Sequence, residues 1–177
     1  MTAEELIRHY MMLPHPEGGW YKETYRSNEI FPGSALPERF VGNREFSTAI
    51  YFLLEAGNFS AFHRIRSDEC WHFYAGDPLE ILVIKQDGQL ERIVLGNDIS
   101  RKQNFQYVVP ANCWFASRPI DGATFSFVGC TVSPAFDFSD FEIADPDTLV
   151  ASYPAYESII RKLSCQPAKN FTEEKNN

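Results

Sequence analysis

The stretch Phe59-Ser-Ala-Phe-His-Arg-Ile-Arg-Ser-Asp-Glu-Cys-Trp-His-Phe-Tyr-Ala-Gly76 limits the possible folds more than any other part of the chain. It reads as two short strands, Ser60–Arg66 and Glu69–Tyr74, joined by a polar Ser67-Asp68 turn. Side chains alternate between the two faces of a strand. His63 and Ile65 therefore share one face of the first strand, and Glu69, Trp71 and Phe73 share one face of the second. With those faces inward, an imidazole and a carboxylate project into a cavity walled by aromatic rings.

Similar segments recur along the chain. Trp20–Arg26, Phe46–Leu54, Leu79–Lys85, Leu90–Leu95, Gln106–Val109, Cys113–Ser117 and Thr124–Val132 each read as a strand. Asp87-Gly88 supplies a hairpin turn between two of them. Short strands at this spacing predict an all-β antiparallel sandwich or barrel. Aromatic residues make up 15% of the chain and strengthen that reading, because they pack well on pleated surfaces. On Trp20–Arg26, alternation puts Tyr21, Glu23 and Tyr25 on one face and Arg26 on the other.

Helices are expected only at the two ends. Thr2 followed by Glu5 forms a capping-box pattern, and the helix it opens should run to about Met12, with Leu6, Tyr10 and Leu13 on one stripe. Glu17-Gly18-Gly19 reads as a turn, and residues 27–44 as a long surface loop. Asp145-Pro146 and Tyr153-Pro154 open two short helices, the second reaching about Leu163. Residues 1–165 should form one domain, with 166–177 a polar, disordered tail.

Charge and cysteine usage exclude several function classes. The formal net charge is −8 with no dense Lys/Arg run, which argues against a nucleic-acid partner. No apolar stretch suits a membrane span, and the acidic N-terminus lacks the core of a signal peptide. Cys70, Cys113, Cys130 and Cys165 form no C-x-x-C pair, and reduced thiols in the cytoplasm are the simplest account.

The spacing of His63, Glu69 and Gly76, followed later by Pro110, resembles the two conserved motifs of the cupins. The phrases Pro14-His-Pro-Glu-Gly-Gly19, Glu23-Thr-Tyr-Arg-Ser27 and Gly129-Cys-Thr-Val-Ser-Pro134 resemble those of an RmlC-like cupin group of unassigned function. The resemblance implies a double-stranded β-helix, a small jelly roll, usually a homodimer. Cupin metal sites use three His and one Glu. Here His63 and Glu69 match two positions, while Ile65 and Phe115 stand at the other two. No cofactor is therefore expected, and His63 with Glu69 would hold a divalent ion only weakly. Asn112 stands at a turn glycine of the second motif, as Asn tolerates positive φ.

The Gly18–Arg26 stretch is also similar to a segment of the dTDP-4-dehydrorhamnose 3,5-epimerases, which are cupins without metal. That similarity implies His63 as a general base and Glu23 as a ligand contact. Gly18 stands where those enzymes carry an Arg, which argues against a nucleotide-sugar substrate. The candidate catalytic pair is His63 with Glu69, the carboxylate orienting the imidazole. The candidate ligand contacts are Glu23, Tyr21, Trp71, Phe73 and Phe115. His72 falls on the opposite strand face from Glu69 and reads as a hydrogen-bonded or interface residue, and His15 as a turn residue. Two readings stay open: an epimerase- or isomerase-like enzyme acting on a small polar or sugar-like molecule, and a metabolite-binding or storage-like protein without turnover.

Overall fold

The computed structural model describes residues 1–164; Cys165 and the polar tail lie outside it. The capping box forms as its residues demand. The Thr2 hydroxyl accepts from the Glu5 amide at 3.2 Å, and the Glu5 carboxylate accepts from the Thr2 amide at 2.7 Å, opening α1 (Ala3–Tyr10). The helix stops at Met11, in the left-handed region. That reversal turns Met12 into the core and leaves Leu13 exposed, so of the expected stripe Leu6 is buried and Tyr10 packs beside it, while Leu13 gives its place to Met12.

The strands in chain order are β1 (Leu13–Pro14), β2 (Trp20–Arg26), β3 (Ile30–Phe31), β4 (Arg44–Glu45), β5 (Thr48–Glu55), β6 (Ser60–Arg64), β7 (Asp68–Gly76), β8 (Leu79–Ile84), β9 (Leu90–Leu95), β10 (Gln106–Val109), β11 (Trp114–Pro119), β12 (Phe125–Ser133) and β13 (Glu142–Ile143). They form a six-stranded sheet in the order β1-β2-β5-β12-β7-β10 and a five-stranded sheet in the order β13-β6-β11-β8-β9. All pairings between these strands are antiparallel. Leu54, Trp71 and Val128 from the first sheet meet Ile81, Val83, Leu95 and Phe115 from the second in one core. This is the jelly-roll arrangement of an all-β fold.

β6 and β7 are not a hairpin. β6 pairs with β11 and β13, whereas β7 pairs with β12 and β10, so residues 65–67 carry the chain from one sheet to the other. His63 and Glu69 thus approach the interior from opposite walls. The segment 27–44 is also more ordered than its composition implied: Ile30 and Phe31 pair with Glu45 and Arg44. Asn112 adopts φ 62°, as its place in the motif required.

Helices close the outer faces. α1 sets Leu6, with Met12 beyond it, against Leu53, Phe125 and Phe127 of the first sheet. α2 (Pro146–Ser152) and α3 (Glu157–Lys162) bring Leu149, Ile160 and the following Leu163 onto Phe62, Leu82 and Ile84 of the second. Each fully buried side chain of this kind contributes roughly 1.5–3 kcal/mol. Among the described residues no helix is long and apolar enough to cross a membrane.

Candidate functional site

A cavity of about 270 Å³ lies between the sheets, bordered by β2, β5, β6, β7, β12 and residues 136–138. Its polar groups are His15, Glu17, His63 and Glu69 within, and Glu23 and Arg26 at the more exposed rim. Ile50, Phe52, Ile65, Val132, Phe136 and Phe138 supply apolar wall.

Glu17 joins the site because its turn is folded against β6. Gly18 has φ 112° and Gly19 φ 73°, both in the region that favours glycine. A Cβ on Gly18 would collide with the Phe59 carbonyl, and one on Gly19 would press on Leu53 and Leu54. With no Cβ in the way, the Glu17 carbonyl accepts from the Ala61 amide at 2.8 Å. The carboxyl group then points inward, where Oε1 accepts from the Ser60 hydroxyl at 2.8 Å. Oε2 lies 3.2 Å from His63 Nε2 and 3.4 Å from His15 Nδ1.

The tautomers follow from these partners. His63 Nδ1 sits 2.7 Å from the Ala61 carbonyl, which can only accept, so Nδ1 carries the hydrogen. Nε2 of a neutral His63 is then a lone pair facing Glu17. Burial holds the His63 pKa down at about 3, opposed by the Ala61 hydrogen bond and assisted by His15. Burial, and then the neighbouring Glu69 charge, raises the Glu17 pKa well above the usual carboxylate range. Both shifts favour the same state near neutral pH: the proton on Glu17, the imidazole neutral. His15, desolvated among Tyr21, Phe52, Phe138 and Phe141, is pushed down to about 4.

Glu69 is the second buried acid. Burial raises its pKa to about 7, although the Cys130 thiol and the Trp71 indole beside it act in the other direction. Its Oε2 has no hydrogen-bond partner among the described residues.

The sequence-derived candidates divide accordingly. His63, Glu69, Tyr21 and Glu23 line the cavity. Trp71, Phe73 and Phe115 do not: Trp71 and Phe115 are core residues and Phe73 packs against that core. Phe115 does meet the His63 ring at 4.0 Å between centroids, the rings tilted by 56°, so it packs against the imidazole. Glu69 does not orient His63, because the two ring nitrogens are engaged by Ala61 and Glu17. His72 faces away from the cavity, with Nε2 at 3.0 Å from the Thr131 hydroxyl and Nδ1 accepting from Gln106 at 2.9 Å. Arg26 reaches the cavity because a bulge at Thr24 shifts the register between Glu23 and Tyr25, reversing the simple alternation. Glu17 and His15 were read as parts of a turn; the paired glycines beside an acidic residue were the signal that the turn presses on other backbone.

The residues do not fit a cupin metal centre. Ile65 and Phe115 occupy two of its positions, and among the described residues no cluster of three or more His, Cys, Asp or Glu is arranged to hold an ion. Prolonged chelation is expected to leave the melting temperature unchanged; a large drop on chelation, reversed by adding one divalent metal back, would contradict this.

Residues 4–144 match a family model described as Cupin superfamily (DUF985). The chain is 28% identical over 150 residues to an uncharacterized protein of Saccharomyces cerevisiae, covering 78% of this chain and 73% of the yeast protein. Among solved structures it is similar to a protein from Shewanella oneidensis, with 38% identity, a TM-score of 0.84, and 93% and 98% of the two chains covered. It is also similar to a hypothetical protein from Leishmania major, with 36% identity, a TM-score of 0.85, and coverage of 94% and 100%.

Proposed function

The chain belongs to the DUF985 family of the cupin superfamily, and on that premise we propose that its cavity binds a small polar or sugar-like metabolite and moves a proton on it, as an epimerase or isomerase does. The observation that carries the reading is the buried pair of Glu17 and His63, 3.2 Å apart, and the opposite shifts of the two groups put the proton they share on Glu17.

Such a pair can accept and supply a proton at once. A ligand carbonyl that displaces the Glu17 hydroxyl from His63 takes the Glu17 proton on its oxygen. His63 Nε2 takes the proton from the adjacent carbon. The C–H electrons become a C=C bond, the carbonyl becomes an enol, and the resulting imidazolium is held between the Ala61 carbonyl and the Glu17 carboxylate. If the enol turns over in the cavity before His63 returns its proton and the Glu17 carboxylate takes back the enol hydrogen, the proton arrives on the other face of that carbon and inverts it. General acid–base assistance of this kind contributes roughly 10²–10⁴-fold to rate. The apolar wall limits water, and Glu69 is left to hold the ligand.

One observation favours binding without turnover: His63 is only 2% exposed, with both nitrogens engaged. The test is incubation in deuterium oxide with a panel of small hydroxy-ketones, aldoses and keto acids, followed by NMR for carbon-bound deuterium. We expect exchange in at least one compound, reduced about 10²-fold or more in His63→Ala. A compound that binds the cavity while exchanging no carbon-bound hydrogen would favour the binder instead.

A further inference from the structure

We propose that the cavity selects ligands carrying an ammonium group, and that this group seats on the Glu69 carboxylate. The inference rests on the small-ligand reading of the same cavity and not on proton transfer there.

Three observations carry it. First, Glu69 is 7% exposed, lines the cavity, and has an Oε2 with no hydrogen-bond partner among the described residues. Buried polar atoms are nearly always satisfied, and the donors beside this carboxyl group, the Cys130 thiol and the Trp71 indole, leave Oε2 without a hydrogen bond of ordinary geometry, so a ligand donor would complete it. Second, the cavity has little positive charge to offer an anion. Glu23 and Glu69 border it as groups that can ionise, Glu17 keeps its proton, and Arg26 is the one permanent cation among the described lining residues. Arg26 is already committed: it donates to both Glu23 oxygens at 3.2 and 2.8 Å, to Glu45 at 3.1 Å and to the Phe136 carbonyl at 3.3 Å. An anionic ligand would have to displace two carboxylates to reach it. Third, Tyr21, Phe52, Phe136 and Phe138 line the same space. Aromatic faces attract a cation that has shed its water.

The groups around Glu69 give binding a definite pH dependence. Glu17 faces it from the glycine turn, Cys130 from β12 and Trp71 from β7 itself, with His15 and His63 in the same cavity and Glu23 and Arg26 at the rim. The two histidines are pushed down to about 4 and about 3, so above those values neither supplies positive charge. Without ligand, Glu69 holds a proton below about pH 7. An ammonium favours the ionised carboxylate, so binding expels that proton. Affinity should therefore fall about tenfold per pH unit below 7 and level off above it.

The experiment compares cyclohexylammonium, cyclohexanol and cyclohexanecarboxylate on the full chain, by thermal shift and by calorimetry on both sides of pH 7. We expect the ammonium to raise the melting temperature more than its neutral and anionic counterparts, with about one proton released per ligand below pH 7. Glu69→Gln, a near-isostere of the protonated side chain, should fold and lose at least about tenfold in ammonium affinity. The proposal is overturned if cyclohexanol or the carboxylate binds as well as the ammonium, if Glu69→Gln binds the ammonium as wild type does, or if the ammonium has no effect up to its solubility. Ammonium selectivity without deuterium exchange would leave this proposal standing while removing proton transfer, and the reverse result would do the opposite.

Discussion

Glu17→Gln is expected to leave the fold intact and to remove proton transfer. The glutamine amide can still donate to His63 Nε2, and its oxygen can still accept from the Ser60 hydroxyl, the two positions the carboxyl group serves at 3.2 and 2.8 Å. Stability should therefore change by no more than about 1 kcal/mol. An amide has no acidic proton to give to a carbonyl oxygen, so exchange into the ligand should fall by about 10²–10⁴-fold. Glu17→Ala tests the other half of the argument. It strands a buried hydroxyl and a buried ring nitrogen, at about 1–3 kcal/mol for each unsatisfied group. Denaturant unfolding of the two variants, together with nitrogen NMR of the His63 ring, separates the contributions. In wild type the ring should be neutral with its hydrogen on Nδ1 at any pH above about 4. Full deuterium exchange by Glu17→Gln would reduce Glu17 to a structural role, and a ring protonated on Nε2 would remove the proposed base.

Arg44→Ala should have the largest effect on stability. The Arg44 guanidinium makes two hydrogen bonds to Asp140, at 2.7 and 2.8 Å, and both side chains are 4% exposed. It also donates to the carbonyls of Val41 and Asn43 at 2.9 and 2.7 Å. Removing one partner of such a pair leaves an unpaired buried charge, which costs about 3–5 kcal/mol. Arg66, 3.6 Å from the same carboxylate and far more exposed, is poorly placed to compensate. The consequence reaches the cavity, because Asp140 closes the one-turn helix Phe138–Asp140, and Phe138 lines the ligand space. The variant should therefore unfold at lower denaturant with an unchanged m-value, and bind any cavity ligand more weakly. A loss below about 1 kcal/mol would mean that solvent reaches Asp140 and that the pair does not pin this segment.

What was legible in the sequence was what depends on near neighbours. The capping box at Thr2 and Glu5, the short helix opened by Asp145-Pro146, the positive φ at Asn112 and the runs that became β2, β5, β9, β10 and β12 are all set by residues a few positions apart. Alternation placed His63 and Glu69 on inward faces, because a period of two is intrinsic to an extended chain. Only the tertiary structure decided what those faces meet. Whether β6 and β7 pair with each other or enter opposite sheets depends on strands as distant as β11 and β12. Trp71 shares a face with Glu69, yet it lies farther along the strand and packs against Phe52 and Phe115 instead of ligand space. The bulge at Thr24 moved Arg26 to the cavity side, against the phase of its own strand. Glu17 reached His63 and Ser60 across more than forty residues of chain, because two glycines let one turn lie flat on a strand it does not adjoin in sequence. Such contacts come from long-range packing, which local periodicity does not encode.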